Sequence, residues 1–189
     1  MNIDIDKYLR EHVPYSIEII LSHEVYKEKY HHIKIDDNQI LRGVFVGSIA
    51  KGRMLLEVIG IKLQTNGQIN ETPDLKRGNP VEDADKTPVH ADNIRGKMAD
   101  IVSLKSRIPQ DMEKIRHYLV AANKYELHLT KQRYDRDLKL YDQAIPVILK
   151  LIDEHIYLAH PDNKKIREEL ILSNRTFGDA LTRTQTLNA

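Results

Sequence analysis

Residues 40–63 read ILRGVFVGSIAKGRMLLEVIGIKL, and whether they form a helix or a β-hairpin determines the fold class. The glycines in this stretch favour a hairpin. The apolar spacing favours a helix, because at about 100° per residue the large apolar side chains share one broad face, with Arg42, Arg53 and Glu57 on the other side. A two-residue period would divide the charges between both faces. We therefore predict one long amphipathic helix, although Lys51 falls on its apolar side.

Two glycines of this helix, Gly43 and Gly47, lie four residues apart. Each glycine in a helix interior costs about 1 kcal/mol relative to alanine, so the pair needs an explanation. Small residues at this spacing let a second backbone approach closely, within the chain or across a two-fold axis. The alternative is that the helix merely tolerates them. The first reading predicts a homodimer along this helix or along the helix over 111–132.

Helical spacing continues through much of the remaining chain. Ser16 is a candidate N-cap for one helix and Asp92 for another, and Pro109 suits the first turn of the next. A further helix over 134–156 contains Pro146, which should kink or split it. These patterns make the chain predominantly helical.

The predicted fold is all-α, a bundle of four main helices with short terminal ones over residues 1–172. An irregular insertion at 64–91 separates the second and third main helices. It holds three prolines, two glycines and few large apolar side chains, and a segment of this length is either mobile or functional. Residues 173–189 are mostly polar, and we expect them to be a disordered tail.

Composition excludes several functional classes. The 189 residues fit one domain,. Lys and Arg number 29 against 28 Asp and Glu, so we expect no general electrostatic attraction to nucleic acid or anionic lipid. The absence of cysteine removes disulfides, thiolate metal sites and thiol catalysis. We see neither a signal peptide nor an uncharged apolar span, and expect a soluble cytoplasmic protein with no membrane partner.

The nine histidines do not form a recognisable metal motif. A helical metal site usually has two ligands three or four residues apart, whereas His155 and His160 are five apart and His31 and His32 are adjacent. The chain also has no Gly-x-Ser-x-Gly nucleophile motif. We therefore expect neither a metal nor another cofactor.

A charged stretch over residues 111–142 is the candidate nucleic-acid interface. Seven basic and six acidic residues are interleaved there, a pattern typical of an exposed helix with many salt bridges. Tyrosines among them suit either base stacking or a half-buried core. If this stretch binds RNA, the candidate contacts are Arg116, Tyr125 and Arg133.

Residues 120–133 read VAANKYELHLTKQR, late in a helical chain. They resemble the fourth-helix motif of the HEPN superfamily, small α-helical domains common in bacterial toxin–antitoxin and phage-defence systems. Residues 40–61 resemble the second long helix of such proteins. In that family an Arg, often followed by a polar residue, precedes a His by four to six positions. The Arg–His pairs of two subunits are thought to line an RNA-cleaving cleft.

The match to that motif is incomplete. His128 fits the histidine, but Asn123 stands where the arginine is expected. Lys124 lies four residues before His128 and so shares its helix face, but lysine lacks the guanidinium fork. An alternative role for Asn123 and His128 is hydrogen bonding that holds the bundle together.

These observations predict a non-catalytic HEPN-like domain that acts through protein or RNA interaction, in a bacterial or phage defence context. One alternative is an active, metal-independent endoribonuclease in which His128 supplies acid–base chemistry and Lys124 holds the phosphate beside Asn123. The other is a structural helical bundle that binds another protein through residues 64–91.

Overall fold

The computed structural model of the chain describes residues 3–29, 39–63, 75–77, 89–125 and 134–186. Within these ranges the chain is all-α except for one pair of short strands, which confirms the predicted fold class. The helices are, in chain order, α1 (Ile5–Lys7), α2 (Val13–Lys29), α3 (Gln39–Val58), α4 (Ile101–Arg107), α5 (Pro109–Tyr125), α6 (Tyr134–Ile152), α7 (Pro161–Ser173) and α8 (Arg175–Thr186).

Shorter elements connect or extend these helices. A π-helical segment, Tyr8–His12, joins α1 to α2, and a second one, Asp153–Tyr157, continues α6. A 3-10 helix, Ala91–Ile94, precedes α4. The two strands, β1 (Ile61–Leu63) and β2 (Leu75–Arg77), pair antiparallel.

Four long helices, α2, α3, α5 and α6, form the predicted bundle. α2 packs along α3, α5 packs along α6, and α3 also contacts both α5 and α6. α8 covers α2 and α6, and α7 packs against α8. Phe45, Leu55 and Ile148 are among the fully buried side chains of the core. No helix in the described ranges is both long and apolar enough to cross a bilayer.

Three buried tyrosines join neighbouring parts of the bundle through their hydroxyl groups. A buried hydroxyl needs a hydrogen-bond partner, and a helix carbonyl has a second lone pair that can accept. The donors and the accepting carbonyls are Tyr118 to Ile49 at 2.8 Å, Tyr141 to Ile20 at 3.0 Å and Tyr157 to Leu9 at 2.8 Å.

The prediction of a helix over 40–63 is correct for most of that stretch and wrong at its end. α3 ends at Val58, and Gly60 then adopts a left-handed φ of 84°. Glycine reaches this conformation without a Cβ penalty and is a common helix terminator. The chain continues as β1, with Ile61 opposite Arg77.

The predicted insertion at 64–91 is described only in part. Residues 75–77 form β2, and the described chain resumes at Val89, just before the 3-10 helix. Residues 64–74 and 78–88 lie outside the described ranges.

Ser16 is not the helix start that the sequence suggested. It is a buried residue inside α2, and its hydroxyl donates to the His12 carbonyl at 2.8 Å. The helical run begins earlier, at Ile5, where the Asp4 carboxylate accepts a hydrogen bond from the Lys7 backbone N–H at 3.0 Å. A serine within a helix can bond to the carbonyl four residues before it, so its presence does not by itself mark an N-cap.

Two other expected helix boundaries also need correction. Asp92 lies inside the 3-10 helix, and the cap of α4 is Asp100, whose carboxylate accepts from the Val102 and Ser103 backbone N–H groups. α6 continues through Pro146, so the expected split does not occur, whereas a kink at this residue stays a prediction. Pro109, as predicted, is in the first turn of its helix.

The expectation of a disordered tail is wrong for residues 175–186, which form α8. Phe177 and Leu181 are buried, with 0% and 1% of their surface exposed. Asn174 starts this helix by accepting a hydrogen bond from the Phe177 backbone N–H at 3.1 Å. The helical domain therefore extends beyond the predicted boundary at residue 172.

The close backbone approach predicted at Gly43 and Gly47 does not occur within the described residues, and the tight contact of this helix is a side chain packed over Gly52. A Cβ at Gly43 would meet nothing within 4 Å, and one at Gly47 would meet only an Ile19 side-chain atom at 3.9 Å. A Cβ at Gly52 would overlap the Tyr118 hydroxyl. The tight contact of α3 is therefore with α5, and the first two glycines do not explain intrachain packing.

Candidate ligand-binding pocket

Arg116, a candidate RNA contact, is bound to its own helix. Its guanidinium makes two hydrogen bonds to the Glu113 carboxylate, one of them 2.8 Å long, and one of its nitrogens lies 2.8 Å from the His117 Nε2. Lys114 and Asp111 form a similar pair at 2.7 Å. The charged face of α5 thus carries intrahelical ion pairs, as expected for an exposed helix stabilised by salt bridges.

The other site residues predicted from the sequence fall at or beyond the end of α5. Asn123, Lys124 and Tyr125 form its last residues, but their side chains lie outside what the structure describes. His128 and Arg133 belong to the undescribed range 126–133. Their proposed roles therefore stay predictions.

A different part of the molecule contains a pocket that is partly open to solvent. It has a volume of about 420 Å³ and lies among the π-helical segment, α2, α3, β1 and the residues before the 3-10 helix. Much of its wall is apolar or aromatic, supplied by Tyr8, Tyr15, Met54, Val58 and Val89. Ligand pockets for small organic molecules usually measure about 300–1,000 Å³ and have this kind of lining.

The π-helical segment shapes one side of the pocket by presenting Tyr8 and His12. Their rings lie 5.5 Å apart between centroids. Pro14 follows shortly after and has no N–H to donate, which disfavours regular α-helical bonding in the preceding turn. Single-turn π segments occur frequently at functional sites. Burial raises the pKa of the Tyr8 phenol to about 12, so it stays protonated and remains a hydrogen-bond donor at neutral pH,.

Two half-buried lysines, Lys51 and Lys62, line the pocket. Within the described ranges neither lies within ion-pair distance of a carboxylate. The Lys51 Nζ instead lies 5.7 Å from the centre of the Tyr15 ring. The pocket's carboxylate, Glu57, accepts a hydrogen bond from Arg53 one turn earlier at 3.1 Å. The described residues that line the pocket therefore carry an excess of positive charge.

His90 closes the pocket from the side of the 3-10 helix. Only 8% of its surface is exposed. The ring faces the Asn93 backbone N–H in a capping-box arrangement, but neither ring nitrogen makes a hydrogen bond of normal length and angle within the described part of the chain. The backbone N–H of His90 does have a hydrogen-bond partner, because it donates to the Asn93 side-chain oxygen at 3.0 Å. An unsatisfied buried polar group costs about 1–3 kcal/mol. Such a group beside a pocket points to a ligand that supplies the partner.

One feature of the sequence points to this site. Lys51 falls on the apolar side of the α3 helical wheel, where a charged residue is out of place, and the structure places it against the pocket. His12, His90 and Lys62 lie far apart in sequence and show no shared motif. In the described ranges no group of three or more acidic or histidine side chains is arranged to hold a metal ion.

No protein-family model matches the sequence, no curated protein matches it, and no solved structure matches the fold. The interpretation of the pocket therefore depends on its own geometry and chemistry.

Proposed function

We propose that this protein is a helical binding module that holds a small organic molecule in this pocket without transforming it. The observation that carries the proposal is His90, a nearly fully buried imidazole at the wall of a pocket of about 420 Å³, whose ring nitrogens make no normal hydrogen bond to any described residue. Apolar and aromatic side chains supply most of the remaining surface, and a few polar groups orient the bound molecule.

The hydroxyl groups of the pocket favour binding over chemistry. The Ser16 hydroxyl donates to the His12 carbonyl and not to a base, so nothing activates it as a nucleophile,. The raised pKa of Tyr8 makes its phenol a poor proton-transfer group at neutral pH,. These two groups supply hydrogen bonds and contact surface to a ligand.

Ligand-observed NMR with a library of neutral and charged aromatic fragments tests this proposal. We expect several fragments to bind the wild type and to lose binding in Met54→Trp, whose indole fills the pocket. Leu172→Trp is the matched control, because Leu172 is 89% exposed on α7 and does not line the pocket. Fragments that bind none of these proteins, or that bind wild type and Met54→Trp equally, contradict a ligand-binding pocket.

The roles that the sequence predicts for the residues at and after the C-terminal end of α5, and for the predicted dimer, are separate proposals. They are a HEPN-like interaction with RNA or protein, a homodimer, and the alternative of RNA cleavage by His128 with Lys124. RNA turnover by wild type and His128→Ala, together with size-exclusion chromatography, tests them. Cleavage that is abolished in a folded His128→Ala variant would establish the catalytic alternative.

A further inference from the structure

From the charges and the free hydrogen-bonding capacity of the pocket, we infer that its ligand is an organic anion, in which a phosphate, sulfate, sulfonate or carboxylate group is carried by a flat apolar body. This inference rests on the proposed function, because it names the chemical class of the molecule that the pocket holds. It assigns the anionic group to Lys51, Lys62 and His90, and the apolar body to the aromatic side of the pocket.

The charge balance of the lining supports an anion. Lys51 and Lys62 bring two positive charges, and no described carboxylate pairs with either. Glu57 brings one negative charge, which Arg53 already compensates. Both lysines are half-buried where they line the pocket, and an anion there supplies the opposite charge that no described carboxylate provides,.

The unused hydrogen-bonding capacity is also of the kind that an anion satisfies. A lysine ammonium is donor-only, with three N–H groups. A neutral imidazole has one N–H donor, and a protonated one has two. The Tyr8 phenol adds a further donor because its raised pKa keeps it protonated. A ligand rich in acceptors and poor in donors therefore fits this pocket better than an amine.

The shape of the lining favours a flat body beside the anionic group. Tyr8 and Tyr15 present aromatic rings, and Met54 presents an unbranched thioether that adapts to a neighbouring surface,. Offset stacking and edge contacts of aromatic rings suit planar ligands. The Lys51 ammonium lies near the Tyr15 ring, so the apolar and the cationic parts of the pocket adjoin.

Four related compounds separate the contributions of charge and apolar surface. Naphthalene-1-sulfonate carries both features, 1-naphthol only the apolar body, inorganic sulfate only the anion, and 1-naphthylmethylamine the body with a positive charge. By isothermal titration calorimetry we expect the sulfonate to bind roughly tenfold or more tighter than 1-naphthol, with the amine weakest. Inorganic sulfate should bind weakly, because it buries no apolar surface.

Lysine variants locate the anion. Lys51→Gln and Lys62→Gln should each weaken binding of the sulfonate by about tenfold and leave binding of 1-naphthol unchanged, because only the sulfonate needs the charge. Lys164→Gln is the matched control, since Lys164 is an exposed lysine on α7 that does not line the pocket.

The outcomes distinguish this inference from the proposed function. Equal binding of the sulfonate and 1-naphthol, or sulfonate binding that neither pocket lysine affects, overturns the anion inference while the binding pocket stands. Neutral fragments that bind while the sulfonate does not also overturn it. If neither the fragment library nor the naphthalene series binds, the proposed function fails together with the inference.

Discussion

The hydroxyl of Tyr118 lies over Gly52, in space that the Cβ of any other residue at that position would occupy. The same hydroxyl donates to the Ile49 carbonyl at 2.8 Å, so it is fixed between α5 and α3. Burial raises the pKa of Tyr118 well above its ordinary value, which keeps this donor protonated. The glycine at 52 is therefore required by packing between two helices and not by backbone conformation.

Gly52→Ala should lower the free energy of unfolding by about 1–3 kcal/mol, the usual cost of forcing an extra methyl group into a packed core. Urea denaturation monitored by circular dichroism measures this change. Gly43→Ala is the matched control on the same helix, because a Cβ at Gly43 meets nothing within 4 Å. The control should be neutral or stabilising by up to about 1 kcal/mol. Equal stability of the two variants would contradict the contact.

The three glycines of α3 show which structural features can be predicted from the sequence and which cannot. Their positions on a long amphipathic helix follow from apolar periodicity, but Gly43, Gly47 and Gly52 look alike in the sequence. Which of them contacts a neighbouring helix depends on the position of Tyr118 on α5, and that position is determined by tertiary packing. The end of α3 is similar, because the left-handed turn at Gly60 is linked to the pairing of β1 with β2.

The last helix, α8, shows why composition alone fails to predict whether a segment is ordered. The polar composition of residues 173–189 favours disorder, but α8 needs only Phe177, Ala180 and Leu181 on one side to bury an apolar stripe against α6 and α2. The Asn174 side chain also donates to the Glu18 carboxylate of α2 at 2.8 Å. Average composition does not reveal a stripe of three residues, whereas their three- and four-residue spacing does.

The candidate pocket was the least predictable part. Its residues come from four separated stretches of the chain, and their chemistry becomes recognisable only when packing brings them together. Lys51 alone broke the helical pattern of its segment. His90 follows an insertion without periodicity, and its significance comes from burial, which the sequence does not show.

Arg167 and Asp153 form a buried ion pair that should be important for stability. Their side chains are 10% and 8% exposed, with hydrogen bonds of 2.5 and 2.8 Å. Arg167→Met leaves the carboxylate buried without its partner and should cost about 3–5 kcal/mol of unfolding free energy. Arg10→Met breaks a similar pair with Glu169, but at the surface, and should cost less than about 1 kcal/mol,. Similar losses in the two variants would contradict this assignment.

His155 should make the fold sensitive to mild acid. Burial is the main cause that lowers its pKa, and its Nδ1 lies 3.0 Å from the Lys97 carbonyl. The unfolded chain binds a proton near pH 6.5, whereas folded His155 resists it until the pH is lower. The contribution to stability is therefore complete above about pH 6.5 and is lost as the pH falls through the interval between the two pKa values.

His155→Asn tests this coupling, because its amide can still donate to the Lys97 carbonyl but does not titrate. The free energy of unfolding between pH 7 and 5 should fall less steeply in the variant than in the wild type. Parallel slopes for wild type and His155→Asn would contradict a destabilising protonation of His155.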